Sequence, residues 1–288
     1  MRQLKLGLVS PIVTANPGAH SPWESQAGIE DLARVAEVAD RLGFDHLTCS
    51  EHVAVPVDVA AERGGVYWDP LATFGYLAAR TNRIRLATQV LVLGYHHPLE
   101  IAKRYGTLDL ISGGRLVLGL GVGTLEREFE LLGAEFAGRG AIADDALAAL
   151  RAALGTPTPT YAGTHFHFDD LVVEPHAVQS RVPLWIGGRT ARSLRRAVTH
   201  GDGWVPFGLP LEALSSMLAG VEIPADFEVL LSPGRSLDPL GERDRTLRRL
   251  SRVLEAGATM VSTSVAAQSA DHYCEQLDAL ASLSQEIA

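Results

Sequence analysis

Four places in the sequence set reactive or conformationally permissive residues where an apolar run gives way to a loop. The first is Thr48-Cys49-Ser50-Glu51-His52. A histidine just past a strand titrates near neutrality, which suits proton transfer or the polarisation of a carbonyl. Glu51 beside it either orients the ring or sits behind it as a structural carboxylate. The second is Ile84–Leu91, an apolar run interrupted by Thr88-Gln89. A polar pair inside such a run must satisfy its hydrogen bonds, on a ligand or through a bulge. The third is Gly119-Leu120-Gly121-Val122-Gly123-Thr124, whose alternating glycines either admit a flat group close to the backbone or relieve crowding at a corner. The fourth is Trp185-Ile186-Gly187-Gly188-Arg189-Thr190. Glycines leading into a helix N-terminus expose unpaired N–H groups at the positive end of the helix dipole, which is a phosphate site. Thr190 is the expected N-cap and Arg189 an auxiliary cation.

Other candidates carry less. His165, His167 and Asp169 share one face of an extended segment, but no fourth ligand stands at suitable spacing, so no metal is assigned. His96-His97-Pro98 reads as loop and helix-cap chemistry. Ser50 lacks the strand–turn–helix glycine context of a hydrolase nucleophile.

Eight short apolar runs must position these residues: Leu4–Val9, Asp45–Ser50, Ile84–Val92, Leu116–Gly121, Pro183–Ile186, Gly203–Pro206, Phe227–Ser232 and Ala258–Ser264. Helix-period segments follow most of them: Ile29–Leu42, Leu71–Arg80, Pro98–Leu110, Asp144–Leu154, Thr190–His200, Thr246–Leu254 and Ala270–Leu283. Strands apolar on both faces and alternating with helices need a parallel sheet under a helical sheath. Eight such units predict an α/β fold, a (β/α)8 TIM barrel, whose chemistry sits at the C-terminal ends of the strands. An open doubly wound sheet is the alternative, and the first strand lacks the glycine fingerprint it would need. Gly155–Thr160, rich in Pro and Thr, breaks the rhythm, and Tyr161–Val173 alternates like a hairpin turning at Gly163. This is expected to be a short insertion over the rim, between the fourth helix and the fifth strand, within one domain spanning 1–288.

A net charge of −9 without a basic block argues against nucleic acid as a partner. The arginines of Thr246–Arg252 follow acids immediately upstream and read as a solvated helix face. No apolar run approaches the roughly 18 residues of a membrane span, and Met1–Leu6 enters a strand without a leader pattern. Two cysteines, Cys49 and Cys274, make no disulfide framework, so the chain is expected to be cytoplasmic.

Taken in order, these segments resemble the luciferase-like monooxygenase superfamily, especially its short branch that uses the deazaflavin coenzyme F420. The likeness runs through Tyr67–Leu71, Arg83–Thr88, His97–Leu99, Leu108–Arg115, Gly121–Gly123 with Glu128-Phe129, Leu132-Gly133, Tyr161–Gly163, Glu174-Pro175, Val182–Gly188 and Gly201–Trp204. The resemblance implies an F420-dependent oxidoreductase exchanging hydride with a small-molecule substrate, and a homodimer. It gives His52 the proton-handling role and places Ser50, as the serine of a Ser-acid-His rim motif, beside the cofactor. It implies a non-prolyl cis peptide at Gln89-Val90 behind the ring. Gly121, Gly123 and Thr124 would lie along the cofactor's tail, with Gly187, Gly188, Arg189 and Thr190 on its phosphate. Where sugar-phosphate dehydrogenases of the group carry an acid after the Gly-x-Gly turn, this chain has Thr124-Leu125, with Glu126 rotated away. An FMN-dependent two-component monooxygenase, a non-catalytic flavin carrier and a cofactor-free phosphosugar isomerase are the rival readings.

Overall fold

The computed structural model describes residues 4–17 and 20–287. Met1, Arg2 and Gln3, which the sequence reading leads into the first strand, lie outside the described residues.

Strand β1 (Lys5–Val9) leads through a loop to helix α1 (Ile29–Leu42) and strand β2 (His46–Cys49). Gly43 stops α1 by adopting φ +83°, a conformation without penalty only for a residue lacking Cβ, and its N–H reaches Ala39 and Asp40 carbonyls. Helices α2 (Val57–Arg63) and α3 (Pro70–Arg80) follow, the latter capped by Asp69 accepting from Ala72 N–H at 2.8 Å. The third barrel strand is split into β3 (Arg85–Thr88) and β4 (Leu91–Val92). Next come α4 (Pro98–Ser112), β5 (Leu116–Gly121), α5 (Glu126–Leu131) and α6 (Arg139–Ala153). The antiparallel hairpin of β6 (Tyr161–Ala162) and β7 (His167–Phe168) precedes β8 (Leu184–Gly187) and α7 (Ala191–His200). The chain ends with β9 (Gly203–Val205), α8 (Leu211–Ala219), β10 (Glu228–Leu231), α9 (Arg243–Glu255), β11 (Met260–Thr263) and α10 (Ala270–Ser284).

The strands close a parallel ring in the order β1-β2-β3-β5-β8-β9-β10-β11, with β11 returning to β1, so the barrel expected from the sequence is the barrel observed. Strand β4 pairs with the far half of β5, outside the ring. The hairpin is the expected insertion. Its anchor is Asp145 of α6, which accepts from the Tyr161 hydroxyl at 2.5 Å and from the His165 and Phe166 N–H groups. Helices α2, α5 and α8 escape the sequence reading, and α6 begins at Arg139, more than a turn before the expected Asp144.

Residue alternation sorts the apolar side chains into two sets. The larger set packs between strands and helices, and a separate cluster of Ala87, Val117, Trp185, Val205, Leu230 and Met260 fills the barrel's interior. Polar groups, half-buried around the buried His46, close the base. Arg85 donates to Asp45 and Glu228, His46 Nδ1 lies 2.9 Å from Asp45, and the Trp185 indole donates to Glu228 at 2.7 Å. Gly7 is required here, because a Cβ would sit 2.0 Å from the His46 ring.

The register of the third strand carries the main irregularity. Leu86 and Ala87 pair with Leu116 and Val117, whereas Leu91 and Val92 pair with Leu120 and Gly121. The third strand therefore holds one more residue than its partner across this stretch, which is a β-bulge. Thr88 and the Gln89 backbone find their partners within it. The Thr88 hydroxyl donates to Gly119 O at 2.7 Å, Gln89 N–H donates to Cys49 O at 2.8 Å, and Ser50 Oγ donates to Gln89 O at 2.8 Å. Gly119 is fitted to the bulge, since a Cβ there would stand 1.8 Å from Thr88 O. Gly119→Ala is expected to cost about 1–3 kcal/mol of stability, because backbone must move to admit one methyl group. Urea midpoints measure it, and an unchanged midpoint would count against the bulge.

Candidate active site and anion cleft

The bulge turns Val90 toward the glycines of its neighbours. The Val90 methyls occupy the space a Cβ would need at Gly121, 2.6 Å away, and at Gly187, 2.8 Å away. The alternating glycines of β5 thus accommodate protein: Val90 at Gly121, and Phe129 with Val92 at Gly123. The Gln89-Val90 peptide is cis. Ser50, Gln89, Val90, Gly121 and Gly187 form one packed unit joining the second, third, fourth and fifth barrel strands. One atom in it has no partner. Gln89 Oε1 is buried and accepts no hydrogen bond among the described residues, a vacancy that protein interiors rarely tolerate.

His52 stands apart from that unit on another support. Its Nδ1 lies 2.7 Å from Glu128 Oε2 at the first turn of α5. Glu128 is fully buried and also accepts from the Tyr95 hydroxyl at 2.7 Å and the Val53 and Ala54 N–H groups at 2.6 and 3.1 Å. Burial pushes the Glu128 carboxyl up, but the bonds from His52, Tyr95 and Ala54 outweigh it and hold the group below its ordinary value. An ionised carboxylate only accepts, so Nδ1 must carry the hydrogen and Nε2 is left as the proton-accepting nitrogen. The Tyr67 ring meets the imidazole edge to face at 4.5 Å. Glu51, the nearer acid in sequence, turns away. It is buried against Val92 N–H and His96 Nε2, each at 2.7 Å, and holds the strand beyond the bulge. His97 caps α4 as the sequence predicts, through Leu99 N–H.

Gly123, Thr124, Gly187, Gly188, Arg189 and Thr190 line a single cleft of about 480 Å³. Gly188 adopts φ +144°, and a Cβ there would strike Ser193. Thr190 caps α7 in a reciprocal pair with Ser193. Among the described residues the N–H groups of Arg189, Ala191 and Arg192 have no protein acceptor. A second helix start meets them, because Gly138-Arg139-Gly140 at the head of α6 lines the same cleft. Arg139 is stacked on Phe136, with its centre 3.7 Å from the ring. Arg189 and Arg192 make no ion pair among the described residues. Two convergent helix dipoles, free N–H groups and unpaired guanidinium groups create strong positive potential. The sequence reading missed Arg139, Arg192 and Glu128. Gly138-Arg139-Gly140 was the available signal for the second helix start. Ser50, His52, Gln89 and Val90 lie outside the cleft lining, and Glu126 is exposed at the head of α5.

A chain with this barrel and this rim belongs to the luciferase-like monooxygenase family, whose model matches residues 8–226. An uncharacterised protein of Mycobacterium tuberculosis is 29% identical over 206 residues, covering 66% of this chain and 69% of its own. Among solved structures, a monooxygenase from Streptomyces bottropensis aligns with TM-score 0.72 and 22% identity over 97% of this chain and 98% of that one. An F420-dependent secondary alcohol dehydrogenase aligns with TM-score 0.75 and 15% identity over the whole of both chains. No helix among the described residues is long and apolar enough to cross a membrane.

The Glu51–His96 pair gives a pH signature. Burial pushes His96 down, and the Glu51 carboxylate more than offsets it, so the folded value lies above the ordinary one. The protonated pair stabilises the fold fully below the unfolded value of about 6.5, and that contribution fades as pH rises through the raised folded value. The melting-temperature gap between the native chain and His96→Gln is expected to be widest in mild acid and to shrink on the alkaline side. A gap independent of pH would show that the pairing is not ionic.

Proposed function

We propose that the protein is an oxidoreductase that holds coenzyme F420 at the barrel mouth and acts on a small organic substrate. The observation that carries this reading is the cleft at Gly187–Ser193, where two helix starts and unpaired arginines favour the phosphate of a cofactor tail. The residues fit such a group. The Gly188 conformation opens the turn, Arg189 and Arg192, whose N–H groups have no acceptor among the described residues, line the cleft, and Gln89 Oε1 offers an unused acceptor elsewhere on the rim. Arg189, Arg192 and Thr190 would hold the phosphate, with Gly123 and Thr124 along the tail. Ser50, Gln89 and Val90 would back the ring. When bound, a deazaflavin or flavin supplies the hydride chemistry, and the protein supplies orientation and proton handling.

His52 is assigned the proton. Glu128 fixes the ring's hydrogen on Nδ1, so Nε2 takes a proton from the substrate or returns one to it, according to direction. The buried Glu128 also keeps the ring from rotating, since its other bonds anchor it to Tyr95 and to the loop after β2. The full-length likeness to an F420-dependent alcohol dehydrogenase supports the deazaflavin. A second reading, an FMN-dependent monooxygenase, draws support from the Streptomyces monooxygenase at higher identity.

Purification from a host that makes both cofactors tests the choice. Absorption of the bound chromophore is expected to be that of the deazaflavin; a flavin spectrum selects the second reading, and failure to bind either overturns both. With the cofactor identified, His52→Ala is expected to lower kcat by roughly 10²–10⁴ while cofactor affinity stays within about twofold. Unchanged kcat would remove His52 from the chemistry.

A further inference from the structure

A second basic feature lies outside the cleft. Arg245, Arg248, Arg249 and Arg252 recur on one face of α9, and they line a groove of about 500 Å³ with Leu211 and Pro233. The sequence reading leaves this face to solvent. The structure instead folds the loop after β10 against it. Arg249 is only partly exposed, and its guanidinium donates to three backbone carbonyls, those of Pro233, Arg235 and Ser236. No carboxylate among the described residues touches it. Burial and the neighbouring Arg245 and Arg235 push its pKa down, against only Glu242.

The charges here do not balance. Among the described residues five arginines, counting Arg235, make ion pairs with two carboxylates: Glu242 on Arg245 and Glu212 on Arg252. Both ion pairs are largely exposed, so each is weak and readily exchanged for another anion. Arg248 has no carboxylate partner among the described residues and is exposed. In a chain of net charge −9, an uncompensated cluster set in a groove is not a generic surface. Planar guanidinium groups in a row match phosphate or carboxylate oxygens in pairs.

We propose that this groove is a second anion site, taking a molecule that carries several phosphate or carboxylate groups in a row. It shares no residue with the cleft at Gly187–Ser193. The two are neighbours on the rim, because Phe207 lines the cleft and Leu211 lines the groove. Four residues of chain span at most about 14 Å.

Calorimetric titration with tripolyphosphate tests the site. The double variant Arg189→Glu with Arg192→Glu, which disables the cleft as an anion site, is the background for the measurement, and it is expected to keep one tripolyphosphate site. Adding Arg245→Glu with Arg248→Glu, two exposed arginines of which only Arg245 makes an ion pair among the described residues, and that one on the surface, is expected to weaken this remaining site at least about tenfold. Loss of all binding in the cleft variant, or remaining binding untouched by the added pair, would overturn the proposal. Melting curves of both variants check that each is folded.

Discussion

One extra residue in the third barrel strand sets the shape of the whole mouth. A regular strand would continue the pairing of Ala87 with Val117 and present its side chains in alternation. The bulge offsets everything after Thr88 by one residue and moves Val90 against the fourth and fifth strands. Gly119, Gly121 and Gly187 are then explained together. Each leaves room for a specific part of the bulge, Thr88 O in the first case and Val90 in the other two. Ser50 ties the second strand into the same unit through Gln89 O. The turn that opens the anion cleft therefore rests on the strand irregularity beside it, and the cleft's position follows from packing as much as from its own glycines.

The rim divides the labour between two supports with different physics. On one side a buried carboxylate gathers four donors and fixes an imidazole; on the other, the start of α7 leaves N–H groups unused beside the head of α6. The first is a satisfied network, rigid because every member is bonded. The second is an unsatisfied one, and its free donors define where an anion belongs.

Much of this was legible in the sequence, and the boundary of legibility has physical causes. The eight strands show because each is a short apolar run, and the phosphate turn shows because glycines before a helix start are a local pattern. The third strand's disturbance is visible in Thr88-Gln89, though whether a ligand or a bulge answers it depends on the fourth strand. Glu128 is a different matter. It lies 76 residues from the histidine it holds, while Glu51 sits adjacent to it, and nothing local reveals that the neighbour turns away. The start of α6 was hidden because Gly138 and Gly140 are poor helix formers, so propensity points to a loop where tertiary contacts make a helix. The spare arginines of α9 looked balanced because sequence proximity to acids says nothing about where a groove folds over them.

The base of the barrel has a bearing on traffic. Lys5, Asp45, Arg85 and Glu228 interlock there beneath a solid apolar interior, with the His46 ring wedged into the space left by Gly7. Nothing the size of a metabolite passes through such a plug. Any molecule that enters the mouth must leave by the same opening, so arrival and departure share one doorway. Two ligands that use it are obliged to take turns or to stack.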